Sequence, residues 1–342
     1  MKNKNDQSQT EDDMSFVPPS IDKDRLLSGE SYAYYTPCPE AITPYGTSTT
    51  DQPTEITPCV LGVDEAGRGP VLGPMVYGAF YLPMHLHHSL LAEEHSFDDS
   101  KVLTPAVRAN LMRLLNTPGN NLFESCGYAV KVLSARDISS GMMKPTGATY
   151  NLNAQAMDAT IEIIRGVIQD RSVSVQEVYI DTIGNPATYQ AKLERIFPTL
   201  KITVAKKADS LYPCVSAASV AAKVTRDVAL EVLYDGVLRA QSPDDASNGP
   251  EGWGSGYPSD SKCVGWLRRN MDPLFGWGNE CRFSWGTAKE MLEVKGGARV
   301  DWPEEDDEGN GRLEFLLTSA PTKSSSNDGL RDWYGNRQAE II

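Results

Sequence analysis

No stretch of this 342-residue chain stays apolar for the roughly 20 residues that a membrane-spanning helix needs, and no basic-then-apolar leader opens it. The expectation is a protein that neither spans a membrane nor enters a secretory route. Cysteine is sparse: Cys38, Cys59, Cys126, Cys214, Cys263 and Cys281 are scattered, and no two form a Cys-x-x-Cys pair. That excludes a zinc ribbon and a disulfide framework and suits a reducing compartment. Histidine is rarer still. His85, His87, His88 and His95 all fall in one polar segment without a cysteine beside them, which reads as a surface loop rather than a metal site. The rest of the chain therefore has no imidazole to serve as a base.

Positive charge is short overall, 32 Lys and Arg against 46 Asp and Glu, a net of −14. The deficit is uneven. Residues 1–57 carry 4 basic against 10 acidic side chains and residues 289–342 carry 7 against 12, whereas residues 58–288 carry 21 against 24. If cations neutralise four of those central acids, the central region becomes slightly positive. Acidic ends on a near-neutral centre do not exclude a phosphate-binding face.

What is present is a centre able to bury a core, since 40% of the chain is hydrophobic and 23% charged. Residues 1–57 are polar, acidic and without sustained periodicity, and read as a disordered tail in which Ser31–Tyr35 packs at most locally. From Pro58 strands are expected at 59–65, 75–82, 122–133, 178–181 and 202–205. Helices are expected after Thr104-Pro105, over 151–169, 186–197 and 216–232, and in a C-terminal extension at 260–271 and 286–294. Three early strands followed by strand–helix alternation predict an α/β protein: a mixed five-stranded sheet flanked by helices. Residues 58–290 form the working domain, and residues 291–342 an acidic tail with a docking segment near Leu330–Ile342.

The densest signal is Leu61-Gly62-Val63-Asp64-Glu65-Ala66-Gly67-Arg68-Gly69-Pro70. A short apolar run, read as a buried strand, ends in two adjacent acids, and buried carboxylates are costly without compensation. A hard divalent cation is the usual compensation. Glycines on either side of Arg68 let backbone approach a ligand closely. Asp181 ends another strand, and Asp209 follows a third and precedes a long helix. If these strands are neighbours, four carboxylates converge at strand carboxyl ends, where open sheets gather ligands. Four acids so close need cations, and two divalent ions suit phosphoryl displacement without a histidine. Lys223 and Arg226 lie one turn apart on the helix after Asp209, placed either to meet phosphates or to pair with Asp227.

Taken together and in order, these segments resemble the type 2 ribonuclease H family, and within it the eukaryotic catalytic subunits. The carrying residues are 62–70, Asp99-Ser100-Lys101, 179–184, 207–213, 216–227 and Gly254-Ser255-Gly256-Tyr257-Pro258. The resemblance covers about residues 58–290. It implies an RNase H-like fold and Mg²⁺ or Mn²⁺ held by Asp64, Glu65, Asp181 and Asp209. It implies cleavage of the RNA strand of RNA–DNA hybrids and incision 5′ of single ribonucleotides in duplex DNA, leaving 3′-hydroxyl and 5′-phosphate ends. It places Gly67, Arg68 and Gly69 at the ribose 2′-hydroxyl, Tyr257 against the sugar at the RNA-to-DNA junction, and Lys101 on a phosphate. It further implies two non-catalytic subunits in a heterotrimer and a location in the nucleus. The alternative is a catalytically silent nucleic-acid-binding scaffold; the presence of all four acids weighs against it.

Overall fold

The structure, a computed structural model, describes residues 16–42, 57–97, 103–144, 150–182, 184–241 and 252–294. Its centre is a mixed sheet of six strands: β1 (Tyr32–Tyr35), β2 (Cys59–Ala66), β3 (Met75–Pro83), β4 (Gly127–Leu133), β5 (Val175–Asp181) and β6 (Lys201–Ala205), in the order β1-β4-β3-β2-β5-β6. β1, β4, β3 and β2 are joined antiparallel. β5 runs parallel to both β2 and β6. The helices are α1 (Lys23–Leu27), α2 (Pro105–Leu114), α3 (Asn121–Ser125), α4 (Ala135–Met142), α5 (Leu152–Arg165), α6 (Pro186–Ile196), α7 (Pro213–Gln241), α8 (Ser261–Arg269) and α9 (Gly286–Val294).

Two expectations about the strands need correction. The sheet has six strands, not five, because residues 16–42 are not a disordered tail. Asp22 caps α1 by accepting the Arg25 N–H, and Tyr32–Tyr35 pair with Ala129–Val132 at the sheet edge. The expected strand over 122–133 begins only at Gly127. Asn120 accepts the Phe123 N–H and starts α3 instead, since a capping side chain satisfies a donor that a strand start would leave open. The capping expectation at Thr104 holds: its hydroxyl accepts from Val107, with Pro105 at the first helical position. Residues 295–342, including the expected docking segment, and Lys101 lie outside the described residues.

Side chains alternate across a strand, so the sheet has two apolar faces. Val60, Val76, Phe80 and Val130 pack under α7 through Ala218, Ala221 and Ala222. Leu61, Val63, Tyr77 and Ala79 pack against α5 through Ala156, Ala159, Ile163 and Ile164. A third cluster joins Val71 and Leu72 to the far end of α7, α8 and α9 through Leu230, Trp266, Cys281 and Ala288. Glycine lets α7 lie directly on the sheet. A Cβ at Gly62 would stand 2.3 Å from Cys214 backbone, and one at Gly78 would stand 2.4 Å from the Ala218 carbonyl oxygen. His87 also departs from the expected surface loop. It is buried, and its Nε2 accepts the Cys214 N–H at 3.2 Å at the start of α7.

Candidate active site

The parallel pairing of β2 and β5 aligns Val63 with Ile180, which brings Asp64 and Asp181 to the same sheet end. β6 pairs Ala205 with Asp181, and the chain then turns back on itself. Lys207 makes that turn in the left-handed region (φ 59°, ψ 39°), where residues other than glycine are uncommon. The turn lets the Ala208 N–H donate to Asp181 Oδ1 at 2.8 Å and seats buried Asp209 in a 3₁₀ turn over 208–210.

The adjacent acids of β2 do not share a direction. Strand alternation puts Asp64 on the α7 side and Glu65 on the α5 side. Burial pushes the Asp64 carboxyl up to about 7; Asp181 adds to the rise, while Ser219 and Lys223 of α7 oppose it. The Glu65 N–H donates back to Asp64 Oδ1 at 2.8 Å. Burial pushes Glu65 up to about 8, the charges of Asp64 and Asp181 add to the rise, and Arg68 opposes it. Glu65 opens instead onto a cleft of about 490 Å³, shared with Arg68, Tyr77, Asn153, Asp181 and Tyr189. The half-buried Arg68 side chain lies along that cleft and donates to Asn153 at the start of α5.

These acids are neighbours without being a closed cage: among the described residues no three ligating side chains already stand together as a metal site. The donor set nevertheless fits a hard divalent ion. It consists of carboxylate oxygens, two of them held above their usual range by burial and mutual repulsion, and a bound cation relieves both effects. Ser219 fits the same picture. Its buried hydroxyl favours the charged form of Asp64 yet completes no hydrogen bond of good geometry among the described residues.

A second group is drawn from two distant segments. Gly256 (φ 77°) accepts the N–H groups of Val71 and Leu72 at 2.9 and 3.2 Å, which ties its turn to the one that follows Gly69. Tyr257 therefore stands over Gly69, where a Cβ would lie 3.2 Å from its ring. Arg226 is buried rather than reaching into solvent. It donates to the Ser255 carbonyl at 2.5 Å, pairs with Asp227 at 3.1 Å and lies 5.9 Å from the Tyr257 ring centre. It braces the tyrosine turn. No sequence motif contains Asn153 or Tyr189, and Ser219 lies in the 216–227 segment without a role assigned to it. Ser219 precedes Lys223 by four residues, so helical spacing is the one signal that places it on the same face.

Carboxylates at the carboxyl ends of adjoining parallel strands, under a long helix and beside a glycine turn, are a donor set suited to metal-assisted phosphoryl transfer, the chemistry of a nuclease. A family model for ribonuclease HII matches residues 61–288. The chain is 58% identical over 322 residues to the A subunit of ribonuclease H2 from Neurospora crassa, covering 94% of each protein. To the human protein of that name it is 43% identical over 236 residues, covering 69% of this chain and 73% of that one. The crystal structure of the ribonuclease H2 from Pyrococcus horikoshii matches with a TM-score of 0.53 at 26% identity, over 69% of this chain and 97% of that one. The chain belongs to the ribonuclease HII family, on the branch that holds these ribonuclease H2 subunits. It is a ribonuclease H, a hydrolase acting on RNA paired with DNA.

Proposed function

We propose that the chain both degrades the RNA strand of hybrids and incises on the 5′ side of a single ribonucleotide embedded in duplex DNA, leaving 3′-hydroxyl and 5′-phosphate ends. The observation that carries this reading is the seat of Tyr257 over Gly69, in the turn that follows the acid pair along the chain. The ring lies against the Gly69 backbone, so turn and ring together offer one surface on which a sugar can rest. The 2′-hydroxyl is the group that tells RNA from DNA, and a glycine turn can reach it without reading sequence. In this reading the Gly67–Gly69 backbone binds the 2′-hydroxyl and Tyr257 packs against the next sugar. Lys101 and Lys223 meet phosphates, and Arg226 holds the tyrosine turn in place.

Asp64, Glu65, Asp181 and Asp209 hold two divalent ions, Mg²⁺ or Mn²⁺. Bound ions supply Lewis acidity for water activation and for the leaving oxygen. The separation of Asp64 and Glu65 to opposite faces supports two positions rather than one. Such an activity serves the removal of misincorporated ribonucleotides and RNA primers in the nucleus. The relatives are each named as one subunit of ribonuclease H2, which supports assembly with other subunits, in this reading two non-catalytic ones.

The test is a DNA duplex with one internal ribonucleotide, incubated with Mg²⁺ and with EDTA, using the chain with the partners that co-purify with it. The expected result is one cut 5′ of the ribonucleotide that EDTA abolishes. Cleavage of an all-RNA hybrid strand without incision at the single ribonucleotide would reject the sugar-reading role.

A further inference from the structure

A glycine-rich turn carries few side chains with which to fix itself, and its peptide planes are free to rotate unless something outside holds them. The turn from Gly67 to Gly73 begins and ends with left-handed glycines, at φ 77° and 83°. Its carbonyl oxygens are gathered by one side chain from more than two hundred residues away. Arg282 donates from Nη2 to Gly67 O at 2.6 Å, from Nη1 to Arg68 O at 3.0 Å and from Nε to Gly73 O at 3.0 Å. Trp285 takes a fourth carbonyl, donating from Nε1 to Gly69 O at 3.0 Å. The Arg282 guanidinium lies 4.8 Å from the Trp285 ring centre and is fully buried. Among the described residues no carboxylate pairs with it. Burial lowers it only to about 9, so it stays charged at neutral pH.

A buried guanidinium satisfied by backbone carbonyls is an expensive way to gain stability, since an apolar group of similar size often does as well. What it supplies is direction. In a trans peptide the N–H points opposite to the C=O. Drawing the Gly67 and Arg68 carbonyls inward turns the N–H groups of Arg68 and Gly69 outward, and neither donates to any described residue. We propose that Arg282, with Trp285, is a positioning residue that sets the facing of the Gly67–Gly69 peptides and thereby the enzyme's preference for a ribose 2′-hydroxyl. The proposal rests on the reading of that turn as the sugar-binding segment. Arginine suits the task because its rigid fork of donors spans three acceptors, which a lysine cannot do.

The experiment compares two duplexes, one with a single ribonucleotide and one with a 2′-fluoro sugar, a poor hydrogen-bond partner, at the same place. The full-length chain is used with its co-purified partners, as wild type, Trp285→Phe and Arg282→Lys. Trp285→Phe keeps an aromatic side chain and removes the indole N–H donor. We expect turnover on the ribonucleotide to fall about tenfold for Trp285→Phe and about a hundredfold for Arg282→Lys, the scale of a misplaced contact group. Turnover on the fluoro duplex should hardly change, so the hydroxyl-to-fluoro ratio collapses. An equal loss on both duplexes, with the ratio intact, means that the pair only supports folding and overturns the proposal. If Arg282→Lys does not fold, Trp285→Phe decides by the same ratio. A wild-type enzyme with no preference between the two duplexes overturns the sugar-reading role itself, and the positioning proposal with it.

Discussion

Replacing Gly78 by alanine adds one methyl group where the structure has no room for it. The new carbon would stand 2.4 Å from Ala218 O and 3.1 Å from both Ala222 N and Cβ. Carbon contacts are comfortable at about 3.5–4.0 Å, so α7 must retreat from β3 by roughly 1 Å. Two of the three obstructing atoms are helix backbone, which cannot rotate aside. Overpacking costs typically about 1–3 kcal/mol, and a backbone obstacle puts this case near 3 kcal/mol. With an m-value near 3 kcal/mol/M, the urea midpoint drops by about 1 M. The same retreat moves Ser219 and Lys223 away from Asp64, and a displacement of about 1 Å can cost on the order of a hundredfold in rate. Urea titration and single-turnover cleavage of a hybrid measure the two effects. Gly286→Ala is the control: the chemical change is identical, but nothing lies within 4 Å of the added carbon, so stability should hold or rise by up to about 1 kcal/mol as helix propensity improves. A Gly78→Ala enzyme with a wild-type midpoint and rate would refute the close seating of α7 on the sheet.

His87 gives a pH dependence. Burial lowers it to about 4, with His88 adding to the effect, so the unfolded chain takes up the proton first as pH falls. Its contribution is full above about 6.5 and is lost between there and about 4, by roughly 2 kcal/mol once partial solvent screening is allowed. The difference between wild-type and His87→Gln urea midpoints should therefore change with pH in that window; a constant difference rejects the capping role at Cys214. Asp209→Asn and Asp64→Asn should each lose cleavage while still binding a hybrid in a gel-shift assay, and near-normal turnover by either variant would remove that carboxylate from the catalytic set. Tyr257→Phe keeps the ring over Gly69 and should retain incision at a single ribonucleotide, whereas Tyr257→Ala should lose it; equal rates for Tyr257→Ala and wild type would show that the sugar does not pack there.

Local signals in the chain are good guides where the determinant is itself local. The apolar run that stops at Asp64-Glu65 is β2, and Thr104-Pro105 opens α2 because cap and first-turn chemistry reside in adjacent residues. Ser134 with Asp137 three residues on is the same kind of signal for α4, a helix absent from those expected; its hydroxyl accepts the Asp137 N–H. β1 is hidden for a different reason. Four residues in an acidic stretch form a strand only because β4, about a hundred positions later, offers an edge to pair with, and strand preference depends on such neighbours.

The same distinction separates the residues of the site from its arrangement. The acids, the glycine turn and the tyrosine are all visible as residue types. Their facing is not, because main-chain hydrogen bonds from distant segments determine it. Gly256 reaches the turn through the N–H groups of Val71 and Leu72, Ala208 reaches Asp181 through its own N–H, and Arg282 reaches three carbonyls whose side chains include two that are only hydrogen. Backbone acceptors leave no mark on residue identity, so Arg282 in sequence looks like any surface arginine. In the proposed reading such a site meets a sugar with main chain and holds that main chain with side-chain donors from a distant segment. Substitutions that change its selectivity should therefore cluster at the donors behind the turn, at Arg282 and Trp285, as much as at the residues that face the substrate.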